Sequence, residues 1–198
     1  MINAQTQKSI TYLLQKYEQE PVHAKQVTKL ALLLFDKTKG FLHNYSDKER
    51  SLLEAGSLLH DIGYAISARN HNKHSAELIR SERPSGFTEE EIEIIANITR
   101  YHRGKYPKEK HKKYAYLSEG AKELIRKLSA FTRFADALDR SHYSVIKDFD
   151  CSYDPYTRIL YLILNLNSPD CSIEVTKAQS KKDLFEEEFS VEIQFRIQ

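Results

Sequence analysis

LLHDIGY, residues 58–64, is the segment that decides the interpretation of this 198-residue chain. Its leucines continue the apolar stripe of a helix predicted to begin at a capping box, Ser46 followed by Glu49, and its glycine ends that helix. His60 and Asp61 therefore stand at the inner end of a core-facing helix. A buried imidazole or carboxylate is costly unless it has a partner, so the sequence predicts one for this pair.

The region around this segment carries helical periodicity up to about residue 142. Thr88 and Glu91 form a second capping box before an isoleucine-rich stripe. The predicted helices span about 4–20, 22–39, 46–62, 72–82, 88–100 and 118–140. The basic stretch Arg100–Lys113 is predicted to be a loop.

Five predicted helices each direct an imidazole or a carboxylate toward the interior. His23 lies four residues before Val27, and His102 lies four residues after Ile98, so both face core residues. The full ordered set is His23, His60 with Asp61, His74, His102 and Asp136. One shared metal would satisfy these groups together, whereas any single histidine of this kind is more often structural.

Imidazole nitrogens combined with carboxylate oxygens suit a divalent cation with more than four ligands. Mn²⁺, Fe²⁺, Co²⁺, Ni²⁺ or Mg²⁺ fit this donor set better than a tetrahedral thiolate zinc site, and the set has room for one or two ions. Such an ion lowers the pKa of a bound water and polarises a phosphoryl group. The sequence therefore predicts a divalent-metal site with open positions for water and a substrate oxygen.

The LLHDIGY segment and its flanking histidines resemble the HD superfamily of metal-dependent phosphohydrolases over about residues 20–142. The resemblance implies a helical bundle in which an ordered H…HD…H…H…D set binds metal. It implies His23, His60, Asp61 and Asp136 as ligands of a first ion. His74 and His102 match the positions that hold a second ion or contact phosphate.

Three further segments are similar to the C-terminal helical module of exopolyphosphatases and guanosine pentaphosphate phosphatases: NHNKHSAELI (70–79), TRYHRGK (99–105) and FADALDRSH (134–142). In those enzymes an actin-like pair of domains performs the polyphosphate chemistry, and no segment of this sequence corresponds to that pair. Exopolyphosphatase activity is therefore not implied. The intact His-Asp dipeptide favours a metal enzyme of the same lineage.

The stretch Arg100–Lys113 contains seven Lys or Arg residues and a single acid. It is either a solvated loop or a phosphate funnel beside His102. Arg103 is the best candidate for gripping phosphate because a guanidinium does so bidentately, and Lys73 and Arg140 are further candidates for substrate binding. A net charge of only +2 makes nucleic acid an unlikely partner.

Other polar residues near the pattern leave alternatives open. Asp139 could orient a ligand or form a surface ion pair, and we favour the ion pair. His71 could begin a helix or lie in a loop. His43, His111 and His142 are expected to be surface or loop residues.

After about Tyr143 the apolar period changes from 3.6 to 2, which indicates strands. Strands are predicted over 158–166, 171–176 and 190–198, with a short helix over 179–188. The expected fold class is mainly α, a helical bundle with a small C-terminal antiparallel β appendage. The predicted domains are residues 1–142, the helical domain, and residues 143–198, the β-rich extension.

Several classes are excluded or disfavoured by composition. The longest apolar runs are far too short to span a membrane, and the N-terminal residues lack a signal-peptide pattern. Cys151 and Cys171 are expected to be free thiols, which favours a cytoplasmic location. A homodimer is compatible with the sequence.

The function that these features favour is hydrolysis of a small phosphorylated compound, such as a nucleotide, an alarmone or a short polyphosphate. Asp61 is expected to act as both metal ligand and general base, and His74 or His102 to protonate the leaving oxygen. The alternative is a non-catalytic sensor that uses the same pocket to hold a phosphorylated ligand.

Overall fold

A computed structural model describes residues 4–197 of the chain. The fold is mainly α-helical with a small three-stranded sheet near the C-terminus, which confirms the predicted fold class. The helices are α1 (Ala4–Tyr17), α2 (Pro21–Thr38), α3 (Asp47–Leu58), α4 (His71–Glu82), α5 (Glu89–Tyr101), α6 (Lys112–Ala115), α7 (Glu119–Leu138), α8 (Ser172–Gln179) and α9 (Asp183–Phe189). A 3₁₀ turn, Ile62–Ala65, follows α3.

Both predicted capping boxes are present and set the helix starts. The Ser46 hydroxyl accepts from the first turn of α3 while Glu49 accepts from the Ser46 backbone, and Thr88 with Glu91 does the same for α5. Each box satisfies amide groups that a helix start leaves without intrahelical partners. The predicted basic loop contains the short helix α6, and α4 begins one residue earlier than predicted, at His71.

Helix α7 is the central element of the helical region, and α2, α3 and α5 pack around it. Its apolar face buries Leu128, Phe131 and Leu138 completely or almost completely. The start of α2 lies near the same part of the core as the ends of α3, α5 and α7. Polar residues at these four positions therefore come together.

Two glycines permit close helix packing at the ends that carry these polar residues. A Cβ on Gly56 of α3 would lie 2.6 Å from Ile98 of α5. A Cβ on Gly63 would lie 2.1 Å from the carbonyl oxygen of His71, and the Gly63 amide donates to the Ser75 hydroxyl at 2.8 Å. The glycine of LLHDIGY therefore lets α4 pack directly against the His-Asp turn.

The sheet has the order β1-β2-β3, formed by β1 (Ile146–Asp154), β2 (Ile159–Leu166) and β3 (Glu192–Ile197). Strands β1 and β2 are antiparallel, whereas β2 and β3 are parallel. The prediction of an entirely antiparallel sheet was therefore wrong. The parallel pair arises because α8 and α9 intervene between β2 and β3, and such a crossover lets the chain return in the same direction.

The predicted strand over 171–176 was also wrong, because this segment opens helix α8. Its alternating pattern does not correspond to two faces: Ile173 is 59% exposed, whereas Glu174 is buried. The Glu174 carboxylate accepts from the backbone amide of Ser141, which accounts for a buried acid that the pattern assigns to solvent. Strand β1 was not predicted, and its register is interrupted between Ile146 and Asp148.

The extension packs on the helical region through aromatic rings. Phe131 of α7 contacts Phe185 and Phe189 of α9 with ring centroids 5.2 Å apart in each case, and Phe134 stacks on Phe195 of β3. These residues belong to one continuous apolar core. The division at residue 142 stays a prediction, since a shared core joins its two parts.

Cys151 and Cys171 are free thiols, as expected. Among the helices of residues 4–197, none is sufficiently long and apolar to traverse a bilayer.

Candidate metal centre

Four histidines and two aspartates converge where the ends of five helical segments meet. His23 lies on α2, His71 is the first residue of α4, His102 directly follows α5, and Asp136 lies near the end of α7. His60 and Asp61 occupy the turn between α3 and the 3₁₀ turn. All are buried except Asp136, whose side chain is 29% exposed.

The first group of ligand atoms combines two imidazoles with two carboxylates. The Nε2 atom of His23 lies 3.4 Å from Asp136 Oδ1 and 3.9 Å from Asp61 Oδ2. The Nε2 atom of His60 lies 3.3 Å from Asp61 Oδ2 and 3.8 Å from Asp136 Oδ1. These atoms surround one position, so we call His23, His60, Asp61 and Asp136 the first group.

The second group uses the other oxygen of the same aspartate. Asp61 Oδ1 lies 3.2 Å from His71 Nε2 and 3.6 Å from His102 Nε2. We call Asp61, His71 and His102 the second group. In the first group, His23, His60 and Asp61 offer ligand atoms close enough together to hold a metal ion, and Asp136 lies beside them. The whole second group does the same, and Asp61 is the residue that both groups share.

Each of the four imidazoles is fixed through its Nδ1 atom. In three cases Nδ1–H donates to the carbonyl of the residue three positions earlier, and in the fourth it donates to a carboxylate. The pairs are His60 with Ser57 (2.8 Å), His71 with Ala68 (3.1 Å), His102 with Thr99 (2.7 Å) and His23 with Asp139 (2.8 Å). Because carbonyl and carboxylate oxygens only accept, Nδ1 carries a proton, and in the neutral form of each ring Nε2 presents its lone pair to the centre.

Three of the converging atoms are buried and lack any hydrogen-bond partner within the described residues: His23 Nε2, His60 Nε2 and Asp61 Oδ1. Buried polar atoms are almost always satisfied, so such a concentration of orphaned acceptors needs an explanation. A divalent cation in the first group would satisfy the two nitrogens, and one in the second group would satisfy the oxygen. Nitrogen with carboxylate oxygen is a suitable donor set for such an ion. The residues present therefore fit a bound metal.

The electrostatics of the centre favour positive charge. Burial opposes protonation of His23, but the neighbouring carboxylates of Asp136 and Asp139 outweigh it and raise its pKa to about 10. Burial likewise opposes ionisation of Asp136, yet the His23 imidazole beside it lowers its pKa to about 2. The pKa of Asp61 falls far below its usual range despite burial, because of the charge on His60. Both carboxylates are thus ionised and attract a cation.

Asp139 is not the surface ion-pair residue that we favoured from the sequence. It is fully buried, its Oδ2 accepts from His23, and its Oδ1 accepts from the Ser144 amide at 2.9 Å. A carboxylate behind a ligating imidazole orients the ring and increases its basicity. The alternative role for Asp139, orientation of a ligand, matches this geometry.

The position expected of His74 requires correction. His74 and Lys73 lie on another face of α4, in a cavity formed with α5 and the basic loop, away from the centre. His71 lies where His74 was expected, because α4 begins at His71 and directs its first residue toward Asp61. The roles assigned to His74 and Lys73 from the sequence therefore have no support in their location.

Two of the remaining histidines lie in loops, as expected, but contact the interior. His142 stacks on His23 with ring centroids 3.7 Å apart and lines the cavity above the centre. His43 is buried, with Nε2 hydrogen-bonded to the Phe35 carbonyl at 2.9 Å, and has a structural role in the core.

A cavity of about 340 Å³ opens over the centre and is lined by four cationic side chains. Arg103 and Arg140 were predicted from the sequence, whereas Lys177 and Lys181, contributed by α8 and the segment after it, were not. The guanidinium of Arg103 lies 3.1 Å from His71 Nε2, so it partly covers the second group. The extension therefore completes the wall of the site.

The fold and this site define a class of protein: a helical domain in which histidines and aspartates that could hold a divalent metal lie beneath a basic cavity. Residues 6–171 match the family described as Ppx/GppA phosphatase, domain III, and the chain belongs to this family. The match includes β1 and β2 and ends immediately before α8. The relation to exopolyphosphatase and GppA proteins that three sequence segments predicted is thereby confirmed.

Proposed function

We propose that the domain is a metal-dependent phosphohydrolase of the HD type that acts on a small phosphorylated compound. The observation that carries the proposal is the set of orphaned, buried acceptors, His23 Nε2, His60 Nε2 and Asp61 Oδ1, at the floor of a basic cavity. Membership of a phosphatase domain family agrees with this reading.

The first group would hold one divalent ion and the second group another, with Asp61 contributing one oxygen to each. When bound, such ions polarise a phosphoryl group and make a water nucleophilic near neutral pH. The fixed Nδ1 contacts keep the imidazoles in the tautomer that ligation needs.

The cations of the cavity wall would bind and orient the phosphate. Arg103 lies beside His71, and its planar guanidinium can donate two parallel hydrogen bonds to phosphate oxygens. Arg140, Lys177 and Lys181 surround the same space and would stabilise the charge that develops on the phosphoryl oxygens. Lys73, which lies outside this cavity, has no part in this proposal.

The acid–base assignments change with the geometry. Both oxygens of Asp61 face imidazoles, so we assign Asp61 to ligation rather than to proton abstraction. His102 Nε2 faces Asp61, and burial together with the charge on His60 lowers the pKa of His102 to about 4. A neutral imidazole in this place is a ligand and not a proton donor to the leaving oxygen.

The decisive experiment measures phosphate release from a panel of nucleotides, alarmones and short polyphosphates with Mn²⁺ added. Asp61→Asn should lower kcat/KM by about 1000-fold or more, because it replaces one ligand oxygen with an amide nitrogen and removes the carboxylate charge that both groups share. Chelation should abolish turnover of the unaltered protein, and added Mn²⁺ should restore it. Circular dichroism of Asp61→Asn would confirm that the fold is retained.

Two results would overturn this proposal. If elemental analysis detects no metal and no divalent ion shifts the melting temperature, the centre does not bind metal. If metal and phosphorylated ligand bind tightly but no substrate turns over, the domain is a sensor rather than an enzyme.

A further inference from the structure

The residues that the metal centre leaves out assemble a second cavity. Lys73 and His74 of α4 meet Arg100 of α5 and the segment 111–113 around a space of about 410 Å³. The volume is within the range of small-ligand pockets. Helix α4 thus contributes His71 to the metal centre and Lys73 and His74 to a separate site.

The charge of this second cavity is strongly one-sided. Five cations line it, and Glu77 is the single carboxylate among its lining residues in the described chain. The lining cations are Lys73, Arg80, Arg100, Lys112 and Lys113. Of these, Arg80 is paired with Glu77 and Glu93, while the other four make no ion pair within residues 4–197.

Two further groups, one of them buried, add hydrogen-bond donors to this charge. Arg80 is nine-tenths buried, and its Nη2 has no hydrogen-bond partner in the described structure. The Nδ1 atom of His111 accepts from the Tyr101 hydroxyl at 2.9 Å and from the Lys108 amide, so the proton of the neutral ring is on Nε2. A buried donor without an acceptor is costly, and an oxyanion would supply the missing oxygen.

We propose that this second cavity is an accessory binding site for a phosphate-type oxyanion, separate from the metal centre. Four unpaired cations and the orphaned Arg80 N–H supply charge and donors to a tetrahedral anion. Lys112 and Lys113 form the exposed rim, and Arg80 is the buried group. The ligand is free inorganic phosphate or the terminal phosphate of a larger compound.

Nuclear magnetic resonance of the histidine side chains in the full chain separates the two sites. Titration with inorganic phosphate should shift the imidazole signals of His74 and His111. Their dissociation constant should differ from the one that the signals of His71 and His102 report. The double variant Lys112→Gln with Lys113→Gln should bind phosphate at this site about tenfold more weakly, because two rim charges are lost. The signals of His71 and His102 should keep their response in this variant.

A matched control replaces Lys108 and Lys110 with Gln. These lysines lie in the same loop and act on His111 through space, but neither lines the cavity. The control pair should change the affinity less than about twofold if the cavity, rather than the loop charge, binds the anion.

Three outcomes would overturn the proposal: no shift of His74 and His111 at millimolar phosphate, equal weakening by both lysine pairs, or a response to an RNA oligonucleotide and not to phosphate. Failure of the proposed hydrolase function would be seen separately, because the signals of His71 and His102 would then not respond to added divalent metal. A terminal phosphate on a larger compound would show as tighter binding of a phosphate monoester than of inorganic phosphate.

Discussion

The candidate metal centre and the second cavity lie on different faces of the same helix, α4, yet they are built in opposite ways. In the centre, every imidazole is fixed through Nδ1 and two carboxylates supply the charge. In the second cavity, three exposed lysines and Arg100 surround one space, and these four residues make no ion pair in the described structure. The first arrangement suits a cation with strict geometry, and the second suits an anion that flexible side chains can surround.

Removal of one imidazole from each cavity tests this comparison most directly. His71→Ala should lower kcat/KM by about 100-fold, because the second group loses one of its three ligand residues. His74→Ala, three residues further along α4, should change kcat/KM less than about twofold. Initial rates of phosphate release with Mn²⁺ would measure both variants. A larger loss in His74→Ala than in His71→Ala would show that the two cavities have been assigned the wrong roles.

A smaller effect is expected from Asp139, the carboxylate that orients the His23 ring of the first group. Asp139→Asn should weaken metal binding by about 10- to 100-fold, since His23 loses the carboxylate that orients it. Isothermal titration with Mn²⁺ would measure the change. Asp36→Asn provides the control, because this aspartate lies on the exposed side of α2 and pairs with Arg50. Equal affinities of the Asp139 variant and the unaltered protein would contradict the orienting role.

The smallest effect is expected from the cavity wall supplied by α8 and the segment after it. Lys181→Gln should raise KM about threefold while kcat stays nearly constant, because a rim cation aids binding more than chemistry. Lys8→Gln on the exposed face of α1 removes the same charge elsewhere and should leave KM unchanged. A fall in kcat with constant KM would show instead that Lys181 stabilises the transition state.

The sequence predicted most helices and five of the six converging side chains, because core-facing spacing along a helix is a local property. It predicted His74 instead of His71 because His74 precedes Leu78 by four residues, and Leu78 is only partly buried. The face that is buried contains His71, Ser75 and Ile79, again at spacings of four. Ser75 is small and contacts the Gly63 amide, so this stripe was the signal that identifies His71.

The extension was harder to predict because its decisive contacts are tertiary. Alternation in residues 171–176 indicated a strand, but the buried acid Glu174 receives a hydrogen bond from the Ser141 amide, which no local pattern reveals. Lys177 and Lys181 reach the cavity only because α8 is a helix packed against α7. Their contribution to the site depends on how two distant segments pack.

The hydrogen bonds from three imidazoles to carbonyls three residues earlier have a consequence for how the centre is loaded. Ordering a ligand costs conformational entropy, and here that ordering is complete once the chain has folded. Arrival and departure of an ion would then be governed by stripping water from the ion rather than by rearrangement of the chain. Different divalent ions should then exchange at rates that follow their own hydration, because three of the imidazoles already have their orientation fixed.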